Sequence, residues 1–267
     1  MRLICRGEQI MTTKQFYSYL YGLFGTDGSV QVTAENGETI YRLCLELIDS
    51  DILDQIATLL PDCTVTERTR NTNFKNEYHC FGLNCYNNDF LRWCEQNHFP
   101  LLNKTATIGT PNEREYDEDY FWYGVIDGDG SIGLKNNEQQ PFINLTTDSE
   151  ELKERYLDYI EKYTGFRPKV NRNKRDNIYN ITLHGEKCLI IARRLFSITE
   201  IGIQRKKDKY SQICNWKKQD LSCVKRRIWT DDEVNDLAIL SIDEFLNKYP
   251  NRTINSVKAK MARLKRR

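Results

Sequence analysis

Apolar residues recur along this chain at two spacings, the three-to-four of a helix and the two of a strand. The same succession of spacings appears twice. Lys14 to Thr26 predicts a helix and runs into Leu20-Tyr21-Gly22-Leu23-Phe24-Gly25-Thr26-Asp27-Gly28-Ser29. Ser29 to Ala34 and Ile40 to Ile48 predict strands joined by a turn at Asn36-Gly37. Alternation puts Leu43, Leu45 and Leu47 on one face, to pack on helices, and Arg42, Cys44, Glu46 and Ile48 on the other. Ser50-Asp51 then caps a helix that runs through Leu60. Val65 to Arg70 and Tyr78 to Cys85 predict a second hairpin around Asn71-Thr72-Asn73, and Asn88 to Asn97 a further helix. The order is αββαββα.

The opening run returns as Trp122-Tyr123-Gly124-Val125-Ile126-Asp127-Gly128-Asp129-Gly130-Ser131, and Asp129 lies 102 residues after Asp27. Residues 105–119, with Gly109, Pro111 and a cluster of acids, read as a linker. Helix Asp119 to Gly128 leads to strands Ser131 to Leu134 and Phe142 to Thr146, then to a helix capped at Asp148 or Ser149 that ends at Tyr163. Pro168 to Asn173 and Ile178 to Leu183 predict a hairpin with the basic tip Arg172-Asn173-Lys174-Arg175, and helices follow over 186–196 and 206–217. An internal repeat fixes the architecture. The expected fold class is α+β, with two pseudo-symmetric αββαββα repeats and a small all-α C-terminal domain. The expected boundaries are 1–111, 112–220, a linker at 221–228, and 229–267.

The C-terminal stretch has its own pattern. Trp229-Thr230-Asp231-Asp232-Glu233 opens a helix with a capping box, and helices follow over 242–249 and 253–264. Trp229, Val234, Leu237, Phe245, Leu246, Val257, Met261 and Leu264 would form its core, leaving Lys258, Lys260, Arg263, Lys265, Arg266 and Arg267 outside.

Composition narrows the function. Hydrophobic residues make up 39% of the chain and charged residues 29%. No apolar run approaches the ~20 residues of a membrane span, so no membrane partner is expected. Nine cysteines, with no CxxC pair, predict reduced thiols in a cytoplasmic or equivalent reducing compartment. Met1 to Met11 holds no apolar stretch of signal-peptide length. His79, Cys80, Cys85, Cys94 and His98 match no zinc spacing, so those cysteines read as core residues. The net charge of +1 is unevenly spread. Residues 1–111 carry nine basic and thirteen acidic residues, a net −4, and residues 166–228 carry seventeen and five, a net +12. A solvated charged face is the plain account of one basic run; recurrence along strands as well as helices favours nucleic acid.

The repeated run has chemistry of its own. Gly22 with Gly25, and Gly124 with Gly128, are spaced to share a helix face, which would let two helix backbones approach closely. Asp27 and Asp129 then stand side by side at the helix ends, where paired carboxylates favour a hard divalent cation. Gly28 and Gly130 follow, where a helix end suits a positive φ. One Asp-Gly after an apolar helix is usually only a cap or turn; two in matching context are a repeat.

Both runs resemble the LAGLIDADG motif of homing endonucleases, in the single-chain form with two motifs. The resemblance covers residues 14–218. Trp122 to Gly130 keeps the glycine, the aliphatic pair and Asp-Gly-Asp-Gly, and Leu20 to Gly28 departs at Gly25, where the family often has an acid. It implies a monomer that binds double-stranded DNA on a saddle of two sheets and hydrolyses one phosphodiester in each strand, with Mg²⁺ or Mn²⁺ held by Asp27, Asp129 and the backbone carbonyls of Thr26 and Gly128. By position in the repeats, Lys104 and Lys206, with Lys207 the lesser alternative to the latter, would stabilise developing charge, and Asp49 and Thr147 would orient water. Candidate DNA contacts are Gln31, Thr33, Arg42, Arg68 and Arg70 in the first repeat, and Lys135, Asn144, Lys169, Asn171, Arg172, Lys174, Arg175 and Asn180 in the second. The C-terminal segment resembles a Myb/SANT-like helix-turn-helix module with Lys258, Lys260 and Arg263 toward DNA, a basic helical tail without groove contact being the alternative. Two rivals share the scaffold: a maturase that binds intron RNA, and a DNA-binding regulator that does not cut. Both aspartates are present, which favours cutting.

Overall fold

The computed structural model describes residues 2–4, 10–35, 38–70, 77–100, 104–112, 114–135, 140–217 and 228–264. Two short strands, β1 (Arg2–Ile4) and β2 (Ile10–Thr12), pair antiparallel ahead of the first repeat. The sequence reading did not anticipate them. Strand β2 leads directly into α1 (Thr13–Thr26) through a reciprocal cap. The Gln15 N–H donates to Thr12 Oγ1 (3.2 Å), and the Thr12 N–H donates to Gln15 Oε1 (2.9 Å).

The first repeat then follows its expected order: β3 (Gly28–Glu35), β4 (Glu38–Leu47), α2 (Ser50–Leu59), β5 (Cys63–Arg70), β6 (Tyr78–Cys85) and α3 (Asn88–Gln96). Its antiparallel sheet has the order β3-β4-β6-β5. Leu43, Leu45 and Leu47 are buried under the helices, and Arg42, Cys44 and Glu46 face outward in partial exposure. The turns expected at Asn36-Gly37 and Asn71-Thr72-Asn73 lie outside the described residues. Cys80, Cys85 and Cys94 are buried while His79 and His98 are exposed, so these five residues do not converge on a metal.

The segment read as a linker is partly folded. It holds the single turn α4 (Lys104–Thr107), and Ile108 is a buried core residue. The second repeat runs α5 (Glu118–Gly128), β7 (Gly130–Lys135), β8 (Gln140–Thr147), α6 (Glu150–Thr164), β9 (Tyr179–His184), α7 (Gly185–Phe196) and α8 (Gln204–Ile213). Its sheet has three strands in the order β7-β8-β9. The strand expected at Pro168 to Asn173 is irregular backbone. Pro168 has no N–H for a ladder, and the segment is held largely by a side chain. Arg172 donates to the carboxylate of Asp148, to its carbonyl (2.9 Å) and to the Asn177 carbonyl. Helix α8 also ends earlier than the expected Lys217.

Two compact units result, residues 1–218 and 219–267. In the first, both repeats share one core, with Phe16, Tyr19, Leu23, Trp122, Tyr123 and Ile126 from α1 and α5 among its fully buried members. No helix of the described residues is long and apolar enough to cross a membrane.

The second unit is three helices, α9 (Asp231–Ile239), α10 (Ile242–Lys248) and α11 (Ile254–Leu264). Leu237, Phe245 and Val257 are buried, with Trp229, Leu246, Met261 and Leu264 packed on them. Val234, expected in this core, is only half-buried. The sequence reading missed a buried ion pair: Glu233 is 1% exposed and takes Arg252 Nε at 2.9 Å and Nη2 at 2.6 Å, with the guanidinium 4.2 Å over the Trp229 ring. Removing one partner strands a buried charge at a cost of about 3–5 kcal/mol, as much as a core this small supplies. Arg252→Met should therefore unfold residues 228–264 at 25 °C, seen as collapse of their amide dispersion by NMR. A retained native spectrum would show that the pair is dispensable.

Candidate active site

The site is built where α1 and α5 end together. A Cβ on Gly22 would stand 2.4 Å from the Phe121 carbonyl oxygen, and one on Gly124 would stand 2.0 Å from that of Tyr19. Only hydrogen fits at either point, so backbone lies on backbone. A Cβ on Gly128 would meet Thr26 Oγ1 at 1.9 Å and the Asp27 nitrogen at 3.5 Å, which sets the two helix ends against each other. Gly25 does not join this face as expected. It lies under Ile108, whose Cδ1 would be 2.7 Å from its Cβ. Three residues turn a helix short of a full circle, and that offset carries Gly25 onto the flank.

Asp27 and Asp129 are the caps that follow the two helices. The Asp27 N–H donates to the Leu23 and Phe24 carbonyls, and the Asp129 N–H to that of Ile126. Both residues keep a face open to solvent, while protein packs densely on the other sides of each carboxyl. Gly28 and Gly130 come next, but neither takes the expected positive φ. Each is glycine because a Cβ there would sit 2.5 Å from the carbonyl oxygen of Phe24 or Ile126, four residues back.

The protein packed around these carboxyls raises both pKa values. For Asp129 the negative charge of Asp27 adds to the burial, and the pKa reaches about 6. Burial works oppositely on two lysines, bringing Lys104 and Lys206 down to about 8. Lys104 Nζ donates to the carbonyls of Phe24 (3.1 Å) and Thr26. Lys206, only 3% exposed, donates to those of Ile126 (2.8 Å), Asp127, Gly128 (3.0 Å) and Gly130 (2.8 Å). Three N–H bonds serve four oxygens there. Each ammonium thus sits over the carbonyls at the C-terminal end of a motif helix, where a cation is favoured, and shares those of Phe24 and Ile126 with the Asp27 and Asp129 N–H groups. The electrostatics cross over between repeats. Asp27 feels Lys206 more strongly than Lys104, and Asp129 feels Lys104 more strongly than Lys206.

A second carboxylate accompanies each story. Asp127 is fully buried; its Oδ2 accepts from Tyr19 Oη (2.8 Å) and the Ile203 N–H (3.0 Å), and burial pushes its pKa up to about 6. It ties the segment before Lys206 to both motif helices. Asp49, read as a water-orienting residue, accepts both its contacts from Arg205 Nε, at 2.9 and 2.8 Å. Its neighbour Asp51 accepts the Gln204 N–H at 3.1 Å. Thr147, in the position matching Asp49, is buried and accepts the Ser149 N–H at 3.1 Å. Lys207 donates to the Glu200 carbonyl, and its charge also acts on Asp127.

The outward sheet faces hold most of the proposed DNA contacts. Gln31 and Arg42 are cross-strand partners, joined through Arg42 Nε at 2.8 Å, and Arg42 Nη1 donates to Tyr86 Oη at 2.7 Å. Thr33 and Arg68 are exposed, with Arg68 lying over Gly82, and Arg70 ends β5 with its side chain outside the described residues. In the second sheet, Asn144 accepts from Thr182 Oγ1 (2.6 Å), and Asn180 from Thr146 Oγ1 (3.1 Å). Thr146 and Thr182, which the sequence reading did not single out, share this outward face by strand alternation. Lys135 lies 4.3 Å over the Phe142 ring, and Lys169, Asn171 and Lys174 are exposed. Arg172 and Arg175 are spoken for by Asp148 and Asp176. In the separate C-terminal unit, Lys258 and Arg263 are exposed on α11 and Lys260 is half-buried.

The family model of a LAGLIDADG-like domain matches residues 118–197. No curated protein matches the chain in sequence. Among solved structures, the homing endonuclease I-WcaI bound to its DNA recognition sequence aligns over 77% of this chain and 88% of its own, with 14% identity and a TM-score of 0.50. The LAGLIDADG meganuclease I-AabMI bound to uncleaved DNA aligns over 74% and 90%, at 12% identity and a TM-score of 0.44. Full-length DUF199/WhiA from Thermatoga maritima aligns over 94% and 90%, at 11% identity and a TM-score of 0.44. The chain carries a LAGLIDADG-like domain and has the LAGLIDADG fold of the homing-endonuclease structures.

Proposed function

We propose that this chain is a site-specific DNA endonuclease that acts as a monomer and makes a double-strand break by metal-dependent phosphodiester hydrolysis. The observation that carries the reading is the seating of two exposed aspartates at the touching ends of two glycine-faced helices. DNA as the partner follows the I-WcaI structure, which is bound to its recognition sequence. The outward polar sheet faces and the basic second half are suited to a duplex. The C-terminal unit, with Lys258, Lys260 and Arg263, would add contacts to the same DNA.

The residues fit Mg²⁺ or Mn²⁺. Two carboxylates stand close enough for Asp27 to raise the pKa of Asp129, a repulsion that a cation relieves. The carbonyls of Thr26 and Gly128 are hard donors at the same helix ends; each already accepts from a lysine ammonium, so only its second lone pair would be open to a cation. Among the described residues no group of three or more His, Cys, Asp or Glu could hold a metal, so waters and phosphate oxygens would complete the shell, as Mg²⁺ prefers. A bound divalent cation would supply Lewis-acid activation of water and of the departing oxygen. The chain's own part is placement. The helix pair fixes the separation of the carboxylates, Lys104 and Lys206 hold the helix-end carbonyls in place, and the two ammonium charges offset the developing negative charge.

The test is cleavage of a DNA library by the purified chain in Mg²⁺, with Ca²⁺ in parallel. Discrete double-strand cuts at one long site in Mg²⁺ alone establish the reading. Binding without cutting in either overturns it and makes intron RNA the next ligand to try.

Metal binding should also depend on pH in an unusual range. A carboxylate ligates only when deprotonated, and an ordinary aspartate is so above pH ~4. Asp129, with its pKa near 6, loses that form as pH falls through 6. The sign for folding is opposite in metal-free protein: the native state holds the proton more tightly, so stability rises as pH drops from about 6 toward 4. Ca²⁺ should therefore raise the melting temperature at pH 7.5 and hardly at all at pH 5. An equal rise at both would refute the assignment.

A further inference from the structure

Lys206 was expected to stabilise developing charge near a scissile phosphate, and its ammonium is buried and shared among four carbonyl oxygens. Reaching a phosphate would cost it those partners. Its neighbour Arg205 is differently placed. The Arg205 side chain is 54% exposed and that of Asp49 is 12% exposed. Both contacts run through Nε. The outer nitrogens Nη1 and Nη2 have no partner among the described residues. A guanidinium gripped on its inner edge and open on its outer edge is a preset fork for two phosphate oxygens.

Its location fits that use. Asp49 follows the end of β4, whose Leu45 pairs with Gly28, the residue after Asp27, and the charges of Arg205, Lys206 and Asp49 all act on Asp27. Arg205 belongs to the second repeat by sequence, yet its anchor Asp49 and the aspartate it influences belong to the first. The arrangement is also one-sided. The residue before Lys104 is Asn103, and the position matching Asp49 is Thr147, so the other half has neither the cation nor its anchor.

We propose that Arg205, held by Asp49, contacts the scissile phosphate of one strand beside Asp27, and that the other strand is cut without a counterpart. The plain alternative is a surface latch between repeats, and exposed pairs of that kind contribute little. The latch is already made by Asp51 and the Gln204 N–H, which leaves the open fork of Arg205 unexplained by it.

This inference rests on the endonuclease reading, and the test separates the two. A supercoiled plasmid carrying the duplex recovered from the library is cut in Mg²⁺ by wild type, Arg205→Ala, Arg205→Lys and Asp49→Asn, with each strand followed separately. Arg205→Ala should slow one strand ~10²-fold or more, leave the other within about threefold, and accumulate nicked circles. Arg205→Lys should recover part of the loss, and Asp49→Asn should slow the same strand less. The melting temperature of Arg205→Ala should stay within about 3 °C of wild type. Equal slowing of both strands assigns Arg205 to the latch and overturns the proposal, as does no slowing at all. If wild type cuts neither strand, the endonuclease reading fails, and Arg205 is judged by binding to a random 40-base-pair duplex in Ca²⁺. A salt slope about one unit shallower in Arg205→Ala supports phosphate contact, and an unchanged slope overturns it.

Discussion

Asp129→Asn is expected to reduce DNA cutting at least ~10³-fold while leaving affinity for duplex DNA within a few-fold. Asparagine fills the same space but brings no charge to the cation, and several kcal/mol of transition-state stabilisation go with it. The side chain is exposed, so the fold should tolerate the change. The companion variant Asp27→Asn should do the same to cutting and should also bring the pKa of Asp129 down toward the ordinary carboxylate range, because the Asp27 charge is one cause of its elevation. Strand-resolved cleavage and an NMR titration of the Asp129 carboxyl carbon check both halves. Cutting that survives either substitution would remove the aspartates from the mechanism.

Gly124→Ala should be the most damaging single methyl in the molecule. Its Cβ would stand 2.0 Å from the Tyr19 carbonyl oxygen and 3.0 Å from the Leu23 nitrogen. Both obstacles are backbone, so the helices must move apart, and overpacking of this kind costs about 3 kcal/mol or more. A chain of this size then melts roughly 6–12 °C lower, and the carboxylate pair moves with the helices. Two other glycines calibrate the effect. A Cβ on Gly25 meets only the flexible end of Ile108, and should cost less. A Cβ on Gly165 meets nothing within 4 Å but sits at φ +62°, so its cost is about 1 kcal/mol of backbone strain. Thermal melts of the three variants should rank Gly124 well above the other two. A Gly124→Ala protein as stable as wild type would mean that the helices are not in contact there.

The sequence carried the repeat, the sheets and the paired aspartates because each rests on local rules. Glycine spacing and strand alternation are visible in a few residues, and Leu43, Leu45 and Leu47 went where alternation put them. What it could not carry depends on contacts made from afar. Residues 168–173, read as a strand, are irregular backbone in which Arg172 bonds Asp148, a partner 24 residues away. Gly25 looked like Gly22 in spacing, yet its neighbour is Ile108, far along the chain. Lys206 was recognisable as a residue of the motif region, but its burial under four carbonyls was not, and so the exposed arginine beside it went unnoticed. Gly28 and Gly130 were expected to be glycine for one reason and are glycine for another, since turn propensity and crowding leave the same letter in a sequence.

The crossing of charges between repeats has a practical consequence for engineering. Because Asp27 feels Lys206 more than Lys104 while Asp129 feels Lys104 more than Lys206, and the two helix ends are set against each other at Gly128 and Thr26, the repeats are not independent modules. A chimaera that borrows one repeat from a relative must match it to the other's lysine segment as well as to its glycines, and Asp127 needs Tyr19 from the opposite half. Hybrid proteins joined at residues 108–112 should therefore work only when the donor brings a compatible helix and lysine together, and substitutions on the outward sheet faces should disturb the helix-end site less than an exchange of halves.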